Sequence, residues 1–106
     1  MKTQGTELIA PISIDAEIGN ALSAMFKRIR ISMDQANKLL SIYNSIPIRR
    51  EPLRLQNSTD IAFRNGIYAY DAYMLDCAIQ FDSHLLSLDK KLIETAKILN
   101  VSVLEI

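Results

Sequence analysis

Residues 68–80, YAYDAYMLDCAIQ, form an almost continuously apolar stretch that is typical of a buried helix. Asp71 interrupts its beginning, because at helical spacing it stands in line with Leu75 and Ala78 on the stripe that such a helix buries. A carboxylate in the first turn of a helix is stabilised by the helix dipole. It is also a ligand that hard divalent metal ions prefer. The stretch alone leaves both explanations open.

The bulk composition indicates one soluble globular domain. The chain has 106 residues and a mass of 12.0 kDa, with 49% apolar and 23% charged residues, which excludes a disordered protein. Twelve basic residues balance twelve acidic ones, so no overall positive field attracts a nucleic acid. Any nucleic-acid contact must therefore come from a local patch or from a bound metal ion.

The cysteine and histidine counts and the apolar runs narrow the class of protein further. Cys77 is the only cysteine and His84 the only histidine, so the sequence excludes an internal disulfide and argues against a structural zinc site. No apolar run is long enough to span a bilayer, and the first residues, MKTQGTEL, lack the apolar segment of a signal peptide. We therefore expect a reduced, cytoplasmic protein without membrane contacts.

The order of apolar patterns predicts an α/β fold, in which a mostly parallel sheet is flanked by helices. The segments that we expect to be strands are apolar throughout rather than alternating, as buried parallel strands are. One of them contains two prolines and is expected at a sheet edge. The predicted strands are 7–10, 46–55 (the edge strand), 84–88 and 101–106, and the predicted helices are 13–29, 32–45, 57–66, 68–80 and 89–100.

Three acidic residues stand where a fold of this type builds its sites. Asp71 begins one helix, Asp89 follows a predicted strand at its carboxyl end, and Glu17 lies one turn into the first long helix. Each has an ordinary explanation: Asp89 as a helix N-cap, Asp71 as a dipole-stabilised acid and Glu17 as a solvated residue. If the three converge, their repulsion and lost hydration favour a divalent cation, Mg²⁺ or Mn²⁺, as ligand.

The succession of these segments resembles the PIN domain, the fold of the VapC-like toxins of toxin–antitoxin pairs. APISIDAEIGNAL (10–22) is similar to the family's second strand and acidic helix, with its Glu-x-x-Asn pattern. GIYAYDAYMLDCAIQFDSHLLSLDKKL (66–92) is similar to its Tyr-Asp-Ala run, buried helix, short strand and second aspartate. AKILNVSVLEI (96–106) matches the closing helix and strand. The resemblance covers roughly residues 8–106.

The resemblance implies metal-dependent cleavage of single-stranded RNA. Carried over, Glu17, Asp71 and Asp89 are the catalytic acids that bind Mg²⁺ or Mn²⁺, and Asn20 orients Glu17. The ion would activate a water for attack on the phosphodiester. Tyr70 and Tyr68 either stack on bases or fill the core. An antitoxin protein is the partner that the resemblance implies.

One part of the family pattern is absent. The family begins with a strand that ends in Asp-Thr or Asp-Ser, whereas MKTQGTELIAP begins at what resembles the second strand. We therefore expect a weak or inactive nuclease, and a dimer in which strands or helices are exchanged or sheets are joined. Two alternatives stay open: an inactive PIN remnant that binds an antitoxin or its own copy, and a small α/β domain whose acids are only caps.

Two short basic segments, KRIR (27–30) and RREPLR (49–54), allow two interpretations. They are either a solvated helix end and a charged edge strand, or contacts for an RNA backbone.

Overall fold

The computed structural model describes residues 7–87 and 89–104, and over these residues the chain is a mixed α/β protein. Its elements are β1 (Leu8–Pro11), α1 (Ile14–Lys27), α2 (Met33–Ser45), β2 (Ile48–Glu51), α3 (Leu55–Asn65), α4 (Ala69–Gln80) and α5 (Lys90–Ile98). The chain divides into two compact units, Met1–Arg50 and Glu51–Ile106. Among the described residues, no helix has the length and apolar character needed to cross a bilayer.

The first unit contains the pairing of β1 with β2, which is parallel and has α1 and α2 between its strands in the sequence. Beside the strand pair, Arg49 forms an ion pair with Glu7 at 3.1 Å. Ser32 and Gln35 begin α2 with the predicted capping box. The backbone amide of Gln35 donates to Ser32 Oγ at 3.2 Å, and the backbone amide of Ser32 donates to the side-chain oxygen Oε1 of Gln35 at 2.9 Å.

Helix α1 ends in a Schellman motif two residues before the predicted end. The Arg30 amide donates to the Met25 carbonyl and the Ile29 amide to the Phe26 carbonyl, both at 3.0 Å. This motif needs a left-handed residue, which is usually glycine, but here Ile29 adopts it with φ 55°. A β-branched residue is strained in that region.

The second unit is built around α4. Gly66 closes α3 in the left-handed conformation with φ 62°, as the sequence predicts. Helix α3 packs against α4. The apolar core takes residues from α4, α5 and the segments beside them: Leu75, Ala78, Leu85, Leu92, Ala96 and Val101. The prediction of a buried helix over 68–80 is confirmed.

The predicted strands at 84–88 and 101–106 meet at one point. Leu85 and Val103 form an isolated parallel bridge. The Leu85 amide donates to the Ser102 backbone carbonyl, and the Leu104 amide donates to the Leu85 carbonyl, both at 2.8 Å. Leu88, Glu105 and Ile106, which belong to the same predicted strands, lie outside the described residues. The parallel orientation is confirmed at this bridge, but the described residues there do not form a full strand.

Candidate functional site

Asp71 and Asp89 lie at the beginnings of two helices of the second unit. Asp71 is in the first turn of α4, and Asp89 is the N-cap of α5. Asp89 Oδ1 accepts hydrogen bonds from the amides of Lys91 at 2.9 Å and Leu92 at 3.2 Å. The N-cap interpretation of Asp89 is therefore confirmed.

The pKa of Asp71 is raised from its ordinary value of 3.8. Burial is the largest cause, and the negative charge of Asp89 is the second; the ammonium group of Lys91 acts in the opposite direction. The fold thus brings two of the three predicted site acids close enough for their charges to repel.

Glu17 and Asn20, the other predicted site residues on the acidic helix, belong to the first unit. Glu17 is half-buried in the first turn of α1, where its Oε2 accepts a hydrogen bond from Ser13 Oγ at 3.3 Å. Asn20 is exposed in the next turn. Within the described part of each unit, no three or more His, Cys, Asp or Glu side chains form a group suited to a metal ion. The convergence of Glu17 with Asp71 and Asp89 stays a prediction.

The tyrosines near Asp71 have different surroundings. Tyr70 is half-buried and packs edge-to-face on Tyr73, with ring centroids 6.1 Å apart and an interplanar angle of 71°. Tyr68 is 84% exposed, so core filling, one of the two alternatives for this residue, does not apply to it. Phe63, on the last turn of α3, is 87% exposed, and sequence analysis did not single it out. Its position opposite the apolar residues of α3 was the available signal.

The second basic segment is neutralised within the protein. Arg49 pairs with Glu7, and Arg50 holds Asp15 through its Nε at 3.1 Å and its Nη2 at 2.8 Å. The Tyr43 hydroxyl donates to Asp15 Oδ1 at 2.6 Å. These guanidinium groups are thus engaged by acids of the same unit, which favours a structural role for this segment over RNA contact.

Arg54, at the end of the same basic segment, forms an ion pair that sequence analysis missed. Its Nε and Nη2 donate to the two carboxylate oxygens of Asp76 at 3.0 and 2.6 Å. The Asp76 side chain is only 5% exposed, although it lies on the apolar helix α4. A planar guanidinium bonded to both oxygens satisfies this buried charge. The Asp76 position was a visible departure from the apolar pattern, but nothing in the sequence identified its partner.

The first basic segment, in contrast, is open. Lys27, Arg28 and Arg30 are exposed and form no ion pair with the described residues. They surround Ile29, whose side chain is 91% exposed. These three cations are therefore available to an external anionic or acidic partner.

No protein-family model matches the chain, and no curated protein matches it either. The resemblance to the PIN domain therefore depends on the sequence motifs given above and stays a prediction.

Proposed function

We propose that this protein is a PIN-like, Mg²⁺- or Mn²⁺-dependent endonuclease for single-stranded RNA, of the toxin–antitoxin type, with a three-layer fold. The observation that carries the proposal is the pairing of Asp71 with Asp89, since two carboxylates that repel each other are an unsatisfied arrangement. Structural ion pairs bring opposite charges together, as Arg54 and Asp76 do in the same unit. Lys91 offsets this repulsion only in part, and a bound divalent cation would offset more of it.

The residues present fit a hard divalent ion. Their donors are carboxylate oxygens, which Mg²⁺ and Mn²⁺ prefer. Asp89 uses Oδ1 to cap α5, and its Oδ2 accepts no hydrogen bond from the described residues, so this oxygen is open to a ligand. In the proposal Asp71 and Asp89 hold the ion and Glu17 completes the set.

When bound, the ion supplies an activated water and a Lewis acid for hydrolysis of the phosphodiester bond. The chain's own residues prepare the site. Asp71 keeps its negative charge in a half-buried position, where the charge attracts a cation more strongly than it would in water. Asp89 is held rigidly by its two cap hydrogen bonds, and Asn20 orients Glu17. Tyr70 precedes Asp71, and its contact with Tyr73 stabilises the turn of α4 that carries Asp71.

The test is cleavage of a labelled single-stranded RNA in Mn²⁺, with Asp71→Asn and Asp89→Asn as the decisive variants. Asparagine caps a helix about as well as aspartate, so Asp89→Asn removes the charge and keeps the cap. Glu94→Gln, an exposed acid on α5, is the matched control. We expect weak cleavage that EDTA abolishes, a loss of at least ~100-fold in both Asn variants, and the wild-type rate in the control.

Two results would contradict the proposal. One is an Asp71→Asn protein that cleaves at the wild-type rate. The other is a wild-type protein that neither cleaves RNA nor binds Mn²⁺ in a calorimetric titration. Glu17→Gln, measured in the same titration, tests whether Glu17 is the third ligand.

A second candidate function, a catalytically inactive module for dimerisation or antitoxin binding, is favoured by the apolar stripe of α1. The stripe is half-buried at its beginning but exposed at its end, and α1 contains no fully buried residue. Its half-buried members are Ile14, Ile18 and Leu22, and its exposed members are Met25 and Phe26; the exposed Ile29 follows the helix. Exposed apolar residues in a row favour association with a second copy.

Sedimentation at micromolar concentration tests this second function. We expect a dimer that Phe26→Ser weakens, because the substitution removes an aromatic anchor from the exposed end of the stripe. A compact monomer for the wild-type chain would contradict dimerisation. A dimer that binds no Mn²⁺ and cleaves no RNA would favour the module over the nuclease.

A further inference from the structure

The aromatic residues of the second unit fall into two groups. Tyr70, Tyr73 and Phe81 are half-buried, as aromatic residues in a small domain ordinarily are. Phe63 and Tyr68 are 87% and 84% exposed, and they flank a single turn, the one that joins α3 to α4. Two large rings on one turn are more than the scattered exposure that any protein surface has.

The local backbone explains why both rings face solvent. Phe63 follows the buried Ser58 by five residues, which places it about 140° around α3 from the buried face. After the left-handed Gly66, Ile67 packs against the core, and Tyr68 points outward as the N-cap of α4. Tyr68 makes no side-chain cap hydrogen bond, so it does not have the role that serine or aspartate has at this position.

This turn is next to the acidic pair. Tyr68 precedes Asp71 by three residues, a rise of ~4.5 Å along α4. Tyr68 is five positions after Phe63, so their Cα atoms are at most about 17 Å apart. Both rings therefore lie within a few nucleotides of Asp71, on the part of the unit that the proposed cleavage requires a substrate to reach.

A nucleic acid needs binding energy beyond the acidic pair, because Asp71 and Asp89 repel phosphates. Lys90 and Lys91, exposed at the start of α5, offer some positive charge. Aromatic rings offer stacking with unpaired bases, which tolerates any sequence because every base has a π face.

We infer that Phe63 and Tyr68 form a stacking surface for unpaired bases, which positions a single-stranded nucleic acid beside Asp71 and Asp89. The inference rests on the proposed function, because it names the binding surface of that same site. It also gives a reason for selectivity: bases in a duplex are already stacked on one another and cannot use the surface.

The experiment is a fluorescence-anisotropy titration of labelled 12-nucleotide single-stranded RNAs, oligo(U) and oligo(A), in EDTA so that cleavage does not occur. Phe63→Leu and Tyr68→Leu keep an apolar side chain but remove the ring, whereas Phe63→Tyr and Tyr68→Phe keep the ring. We expect each Leu variant to weaken binding about tenfold, equivalent to about 1.4 kcal/mol, within the range of base stacking on aromatic rings. The ring-preserving variants should bind as the wild type does.

Ile98→Ala is the matched control, because Ile98 is an exposed aliphatic residue of the same unit and should have no effect. A double-stranded RNA of the same length should bind at least about tenfold more weakly than the single strand. The inference is overturned if the Leu variants bind as the wild type does, if the control weakens binding equally, or if the wild type does not bind the single strand. It is also overturned if the Leu variants change the sedimentation of the protein, since a second copy would then cover the rings.

The inference and the proposed function fail differently. If the wild type binds RNA through the two rings but cleaves nothing in Mn²⁺, the nuclease proposal fails and the stacking surface stands. If Asp71→Asn abolishes cleavage while the Leu variants cleave with unchanged KM, the stacking surface fails and the nuclease proposal stands.

Discussion

Replacing Ser58 by alanine should stabilise the protein. The Ser58 side chain is 2% exposed, and its Oγ has no hydrogen-bond partner among the described residues. A buried hydroxyl without a partner costs about 1–3 kcal/mol of desolvation. Alanine also favours an α-helix interior over serine by up to about 0.5 kcal/mol. The small loss of packing around the missing oxygen subtracts from these gains, so we expect a net increase of about 1–2 kcal/mol in the free energy of unfolding.

Thermal unfolding followed by circular dichroism measures this change. A gain of 1–2 kcal/mol corresponds to a rise of roughly 5–15 °C in Tm for a chain of this size. A urea titration should give a higher midpoint with an unchanged slope, because the substitution alters little of the surface that unfolding exposes.

Thr95→Val is the control, because Thr95 is a buried hydroxyl residue of the same unit that does have a partner. Its Oγ1 donates to the Lys91 carbonyl at 3.0 Å, and the residue is 6% exposed. Valine keeps the size and loses the hydrogen bond, so Tm should fall, with a cost of about 0.5–1.5 kcal/mol. The reasoning is refuted if Ser58→Ala lowers Tm, or if both substitutions change it in the same direction.

Three further predictions concern charge and strain. Asp71→Asn should stabilise the protein at pH 7, because it removes a charge that burial and Asp89 disfavour. This advantage shrinks as the pH falls through the raised pKa of Asp71 and is absent below 3.8, so urea titrations at pH 7 and pH 3 that show an equal advantage would contradict it. Arg50 holds the pKa of Asp15 below 3.8, so the stability that Asp15 provides is complete above that pH and is lost as the pH falls through the lowered pKa; Asp15→Asn should therefore show a smaller acid-induced fall in Tm than the wild type. Ile29→Gly should raise the free energy of unfolding by about 1 kcal/mol by relieving the left-handed strain at φ 55°, and a lower Tm would count against this.

The helices were predictable because their signals are local. Apolar spacing predicted α1 and α2, the Ser32–Gln35 capping box fixed the start of α2, and Gly66 fixed the end of α3. The strands at 84–88 and 101–106 were harder, because a short apolar run does not show how many of its residues pair with another strand. In the described residues only Leu85 and Val103 form a bridge.

The candidate site was predictable in part for the same physical reason. Asp89 follows a strand and precedes a helix, so its cap role was visible in the sequence. The Arg54–Asp76 pair joins residues 22 positions apart, and no periodic pattern connects them. The exposure of Phe63 and Tyr68 depends on how the chain turns at Gly66 between α3 and α4, and the sequence does not show the direction of that turn.

Asp71 is the residue that distinguishes the two interpretations of the acids, as helix caps only or as ligands of a cation. Asp89 alone satisfies the beginning of α5, and its carboxylate is fully explained by two backbone hydrogen bonds. Asp71 accepts no such hydrogen bond from the described residues. Lys91 lowers its pKa, but burial and the charge of Asp89 raise it more, so its ionisation is opposed. A cation that binds beside Asp71 would explain why a disfavoured acid stands at the start of the helix that carries the core. The stability of Asp71→Asn and the Mn²⁺ affinity of the wild type should therefore be linked. If the Asp71→Asn variant is more stable and the wild type binds no Mn²⁺, Asp71 does not serve as a ligand of a divalent cation.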